Sequence, residues 1–193
     1  MKWTWVLITV LFYSCHGQGK NKTTMEKFDI TAFNTHQSGG EYLRTLDDGT
    51  VISQFGDSAG YFEKTFPSKG WFYGYKEFYG DGELKLEGEL FKKGEFQAGT
   101  WKEFDERGRQ QKETNYDAQY KMDIDAIFKI LRQKNIPFLM TDSFNTVRRG
   151  VVDGKGLWIV EWKTLPDRIE RMQIDDSTGK IIKQDFYTHQ ENN

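Results

Sequence analysis

Tyr75-Lys76-Glu77-Phe78-Tyr79-Gly80-Asp81-Gly82 returns 26 residues later, without a gap, as Trp101-Lys102-Glu103-Phe104-Asp105-Glu106-Arg107-Gly108. Lys, Glu, Phe and the closing Gly are identical in the two copies, and the leading residue is aromatic in both. Glu87 and Glu113 extend the match, and a fainter copy at offset 33 places Tyr42, Asp48 and Gly49 over Tyr75, Asp81 and Gly82. Apolar and polar residues tend to alternate in Tyr75–Phe78 and again in Leu84–Glu87, the period of a half-buried strand. Gly80-Asp81-Gly82 between them supplies turn residues able to take positive φ. The repeating unit is therefore a β-hairpin. One hairpin is marginal alone, but stacked copies make a continuous sheet.

Within such a strand residues 75 and 77 face one way and 76 and 78 the other, so each face mixes one aromatic with one charge. A sheet packed on one side buries one aromatic of each pair. The other joins a regular row of outward aromatic and charged side chains, which suits protein recognition better than catalysis. Tyr75, Phe78, Trp101 and Phe104 are the candidate partner-binding residues, with about half of them expected to serve the core instead.

The composition fits this reading. Aromatic residues make up 16% of the 193 residues, and 19 Gly stand against 3 Pro, which favours strands and tight turns over Pro-rich linkers. The formal net charge is −2, without a run of five like charges, which argues against a nucleic-acid partner. One Cys excludes an intrachain disulfide, and three scattered His residues give no metal-ligand spacing, so no structural metal is expected.

After Tyr120 the period changes. Asp123 can cap a helix, and Ile124, Ile127, Phe128 and Leu131 form one apolar helical face before Asn135 and Pro137 stop it. Leu157–Trp162 reads as a buried strand and Arg168–Ile174 alternates as a second. Asp175-Asp176-Ser177-Thr178-Gly179 forms a turn, and Lys180–Tyr187 is the last strand. The expected class is mainly β with a minor helix (α+β).

At the other end Lys2 precedes an apolar stretch, Trp3–Tyr13, broken only by Thr4 and Thr9. As a helix it would span about 16 Å, too short for a bilayer core of about 30 Å, so it reads as the apolar region of a signal peptide. Ser14-Cys15 follows, and the chain turns polar at once. The pattern resembles a bacterial lipobox, with Ser14 at the small position and Cys15 at the lipidated one. Phe12 and Tyr13 depart from the usual residues. The resemblance implies an acylated Cys15 that anchors the mature chain in a membrane. The alternative is a plain secretory signal with a coincidental Cys.

The expected organisation is a signal segment at 1–14, a lipidated Cys and polar tether at 15–27, hairpin repeats at 28–120, and a helix plus antiparallel sheet at 121–193. Glu87-Gly88-Glu89, Gly94, Gly99, Trp101, Phe104 and Gly108 resemble the MORN repeat. The run Gly99–Gly108 is similar to its bacterial variant in secreted and in antitoxin- or immunity-type proteins. The resemblance implies a binding or scaffolding sheet. The alternative is an ordinary meander whose repeats record duplication alone. Ile174-Asp175-Asp176-Ser177-Thr178-Gly179-Lys180-Ile181, preceded by one helix, resembles PepSY-like domains, which implies a helix packed on an antiparallel meander outside the cytoplasmic membrane.

No catalytic constellation emerges. His36-Gln37-Ser38 sits in a Gly-rich stretch read as a loop, without a nucleophile elbow. Gly154-Lys155-Gly156 lacks a phosphate loop's helix context, and the Asp47/Asp48, Asp123/Asp125 and Asp175/Asp176 pairs read as turn and cap residues. The expectation is a non-catalytic envelope lipoprotein with a protein partner, a membrane contact through its anchor, and no cofactor. The alternatives are a structural envelope component and, third, a glycan-active enzyme.

Overall fold

The protein was described from a computed structural model covering residues 26–138 and 144–188. Strands β1 (Glu41–Thr45), β2 (Val51–Asp57), β3 (Gly60–Phe66), β4 (Phe72–Tyr79), β5 (Leu84–Phe91), β6 (Gln97–Phe104) and β7 (Gln110–Asn115) form one antiparallel sheet in chain order. Strands β8 (Thr146–Val152), β9 (Lys155–Leu165), β10 (Arg168–Asp175) and β11 (Ile181–Thr188) form a second, also in chain order. Helices α1 (Ile30–His36) and α2 (Ile124–Gln133) complete a mainly β architecture, the class that the alternation predicts. The turns closing β1–β2, β4–β5 and β6–β7 carry Gly49, Gly82 and Gly108 at φ of 82°, 86° and 71°.

One face of the larger sheet is covered at both ends. At the turn end, Phe28 N donates to the Gly82 carbonyl at 2.9 Å. Phe28 then stacks on Tyr61 at 4.6 Å and meets Phe33 of α1 and Phe78 of β4. α1 is only seven residues long and rich in β-branched side chains, so propensity alone does not hold it. Its stability comes from Asp29, which accepts from Ala32 N at 2.9 Å, and from Phe33, which is fully buried. His36 is the last residue of this helix, not part of a loop. Its Nδ1 lies 2.8 Å from the Ala32 carbonyl and its ring stacks on Tyr42.

At the opposite end α2 and the smaller sheet enclose the main core. Ile124, Ile127, Phe128 and Leu131 bury the predicted helical face against Trp158, Val160, Met172 and Ile174, and Phe91 of β5 joins them. Asp123 caps α2 by accepting from Ala126 N at 2.8 Å. Asp176 does more than close a turn. It is buried and accepts from Lys121 N, Met122 N and Trp158 Nε1 at 2.7, 3.0 and 2.8 Å, which ties the approach to α2 to β9. The two sheets meet where the β5–β6 turn docks on β8: Val147 N donates to the Lys93 carbonyl at 2.7 Å. Gly94 is required there, since a Cβ would lie 1.8 Å from the Val147 oxygen.

Candidate partner-binding groove

The register divides the larger sheet into two unlike faces. Directly paired residues share a face, so Gln54, Glu63, Lys76, Glu87, Lys102 and Glu113 form one row across β2 to β7 on the covered face. Gln54 Nε2 donates to Glu63 Oε2 at 2.7 Å, Lys76 pairs with Glu26, and Lys102 Nζ lies 3.4 Å from Glu87 Oε1. The repeated Lys76/Lys102 and Glu87/Glu113 thus become a ladder of alternating charge between the two apolar ends.

The other face carries an aromatic ribbon. Phe55 stacks on Phe62 at 5.0 Å; Phe62 lies 6.4 Å from Tyr75, Tyr75 5.9 Å from Trp101, and Trp101 6.0 Å from Tyr116. Between β4 and β6 the strand position is Gly88, and the Trp101 indole occupies the space a side chain would take: a Cβ there would sit 2.2 Å from the indole. That overlap explains why Trp101 is 4% exposed while Tyr75 and Tyr116 remain half-buried.

Above this ribbon lies a groove of about 610 Å³, floored by Lys64, Tyr73, Tyr75, Glu77, Leu86 and Trp101. It shares Glu77 with a cleft of about 250 Å³ at the β2–β3 turn, and Trp101 and Tyr116 with another of about 230 Å³ over β6. The three depressions lie side by side over β3 to β6, a width of about 14 Å at the usual strand spacing.

Arg149 of β8 closes the far end. Its guanidinium lies 4.4 Å from the rings of both Phe96 and Tyr120 and 5.5 Å from that of Trp158. It donates to the Gln97 carbonyl at 2.5 Å and to Asp117 Oδ1 at 2.6 Å. Its side chain is 5% exposed, so it is a fixed wall rather than a mobile arm.

Other charges on this face also neutralise one another. Lys85 pairs with Glu77 at 3.3 Å and Lys112 with Glu103 at 3.1 Å, while Lys64 lies 5.5 Å from the Phe55 ring centre. The Tyr75 hydroxyl donates to Glu77 Oε1 at 3.0 Å. Burial, followed by that bond and the Glu77 charge, holds the phenol well above its ordinary pKa. Burial raises Tyr73 as well, with help from Glu95, and raises Tyr120 against the opposing charge of Arg149.

Of the four candidate binding residues, the structure brings Tyr75 and Trp101 together on the groove face. Phe78 is buried against Phe28, and Phe104 packs on the same cluster from β6. Cys15 lies outside the described residues. Among the described residues no helix is long and apolar enough to cross a membrane, and no group of three or more His, Cys, Asp or Glu could hold a metal ion. Sequence reasoning missed Tyr116 and Arg149 in the groove and Phe62 in the adjoining cleft. Phe62 lies within a strand and was detectable, whereas Arg149 reaches the groove only through sheet-to-sheet docking.

No family model, no curated protein and no solved structure matches this chain.

Proposed function

We propose that this chain is a non-catalytic envelope lipoprotein, anchored through Cys15, whose MORN-like repeat sheet binds a protein partner, the chain itself acting as an immunity- or antitoxin-type factor. The observation that carries this reading is the continuous aromatic ribbon along an open groove whose principal charges are paired internally. Half-buried Tyr75 and Tyr116 present aromatic surface beside the buried Trp101, and Tyr is among the residue types that dominate protein–protein affinity. Self-neutralised charges leave ring faces and hydroxyls, rather than net field, to do the binding. The PepSY-like segment then acts as a rigid end wall, contributing Arg149.

The test is affinity capture from envelope extracts with the wild-type chain and with a Tyr75→Ala/Tyr116→Ala double variant that keeps its thermal unfolding cooperative. At least a tenfold loss of the captured protein is expected. Unchanged recovery would remove the groove as the binding site and favour a purely structural envelope component. Capture of glycan instead of protein would replace the partner class. Anchoring is tested separately: Cys15→Ala should release the protein from the membrane fraction, and the wild type should carry acyl mass. Membrane retention by the variant together with an unacylated wild type refutes the lipoprotein reading.

A further inference from the structure

β11 is an edge of the smaller sheet and is unlike the edge strand β7. All six residues of β7, Gln110 to Asn115, are polar, which protects an edge from pairing with another chain. β11 instead exposes Ile182, Phe186 and Tyr187, at 58, 53 and 40%. Its regular segment Lys183-Gln184-Asp185 has a self-complementary chemistry about Gln184, in which Lys answers Asp, with apolar residues flanking it on both sides.

We propose that two copies of the chain pair antiparallel through β11, centred on Gln184, to join their four-stranded sheets into one sheet of eight. In this register Gln184 faces its own copy. Lys183 stands opposite Asp185 of the second copy, and the regular pairing ends beyond Lys183, where Ile182 forms a β-bulge against β10. A two-fold axis normal to the sheet pairs only residues on the same face, so the register can slip only in steps of two residues. A slip one way sets Lys183 against Lys183, and a slip the other way sets Asp185 against Asp185. Like charges directly opposite are unfavourable, so the charge pattern selects the centred register.

Asp185 is already fixed for this role. Arg171 donates to its two oxygens at 2.9 and 3.0 Å and Lys183 lies 2.9 Å away, so the carboxylate is ionised and stationary when a second lysine arrives. Pairing also covers Phe186, whose ring centre lies 3.7 Å from the Arg168 guanidinium. One strand pair makes a small interface, so the dimer depends on concentration.

The experiment is oxidative cross-linking of the full chain carrying Gln184→Cys. Directly opposed antiparallel residues have Cα atoms about 4.5–5.5 Å apart, within disulfide reach. A disulfide-linked dimer is expected at least tenfold above wild type, whose only cysteine is Cys15, and above Phe186→Cys, which lies four residues from its own copy. Adding Lys183→Glu to Gln184→Cys should remove most of the dimer. A mixture of Lys183→Cys and Asp185→Cys chains provides a second readout and should cross-link between the two species. A Gln184→Cys signal no higher than that of Phe186→Cys, or failure of the mixed pair to link, overturns the proposal.

Discussion

The two faces of the seven-stranded sheet are built from the same duplicated hairpin and do opposite things. On the covered face, the repeated Lys and Glu lie between a mainly aromatic cluster at one end and the α2 core at the other; the repeated Phe78 belongs to that cluster and Phe104 packs against it. On the groove face, the repeated Tyr75 and Trp101 join Phe55, Phe62 and Tyr116 in a ribbon that neither α1 nor α2 covers. Duplication alone gives the alternation. What makes the faces unlike is what the flanking chain brings: among the described residues α1 and α2 both pack on one side, while the other receives Arg149, the Glu95–Gln97 turn and the Tyr116–Tyr120 segment at its end. Stability is concentrated on the first face, and the proposed recognition falls on the second.

That division is sharpest in the two aromatics of one repeat. Phe78→Ala, at 3% exposure in the core, should cost about 3–5 kcal/mol in urea unfolding. Tyr75→Ala, three residues away on the opposite face, should cost about 1 kcal/mol, near the centre of the usual mutational range. Equal costs would mean that both faces are structural. Gly88→Ala comes next. The added methyl meets the Trp101 indole, so about 1–3 kcal/mol of overpacking is expected, with a shifted tryptophan emission. An unaltered spectrum would show that the indole does not lie over Gly88.

Much of this arrangement was legible in the sequence, and the exceptions have physical causes. The hairpin turns, α2 and its apolar face could be read because each follows from local spacing and capping. α1 could not, since seven residues of middling propensity become a helix only when Phe33 is buried. β8 was missed for a similar reason: its alternation is broken by Arg148-Arg149-Gly150, and sheet-to-sheet docking positions it. Which side of the hairpins faces inward was also undecidable from alternation, because both sides mix one aromatic with one charge. The tertiary contacts of Phe28, Phe33 and α2 decide it.

A smaller effect on the groove face is pH-dependent. Tyr73, Tyr75 and Tyr120 all line the groove, and burial raises each pKa above the ordinary tyrosine value. A group whose folded pKa is raised binds its proton more tightly in the native state. Its contribution is therefore complete below about pH 10 and is lost as pH rises through the folded value. An absorbance titration should show groove tyrosines ionising late and together with alkaline unfolding. Replacing Tyr75 with Phe should remove one of these late steps. If all tyrosines instead titrate near pH 10 in the folded protein, the groove is not desolvated as described.

The most direct test of the groove as the binding face is site-specific photo-cross-linking in envelope-bearing cells. A photoreactive phenylalanine is placed at Tyr75 on the groove face in one chain and at Lys102 on the ladder face in another. The account predicts a strong adduct with a distinct protein from position 75 and little or none from position 102. An adduct of equal or greater yield from position 102 would contradict it.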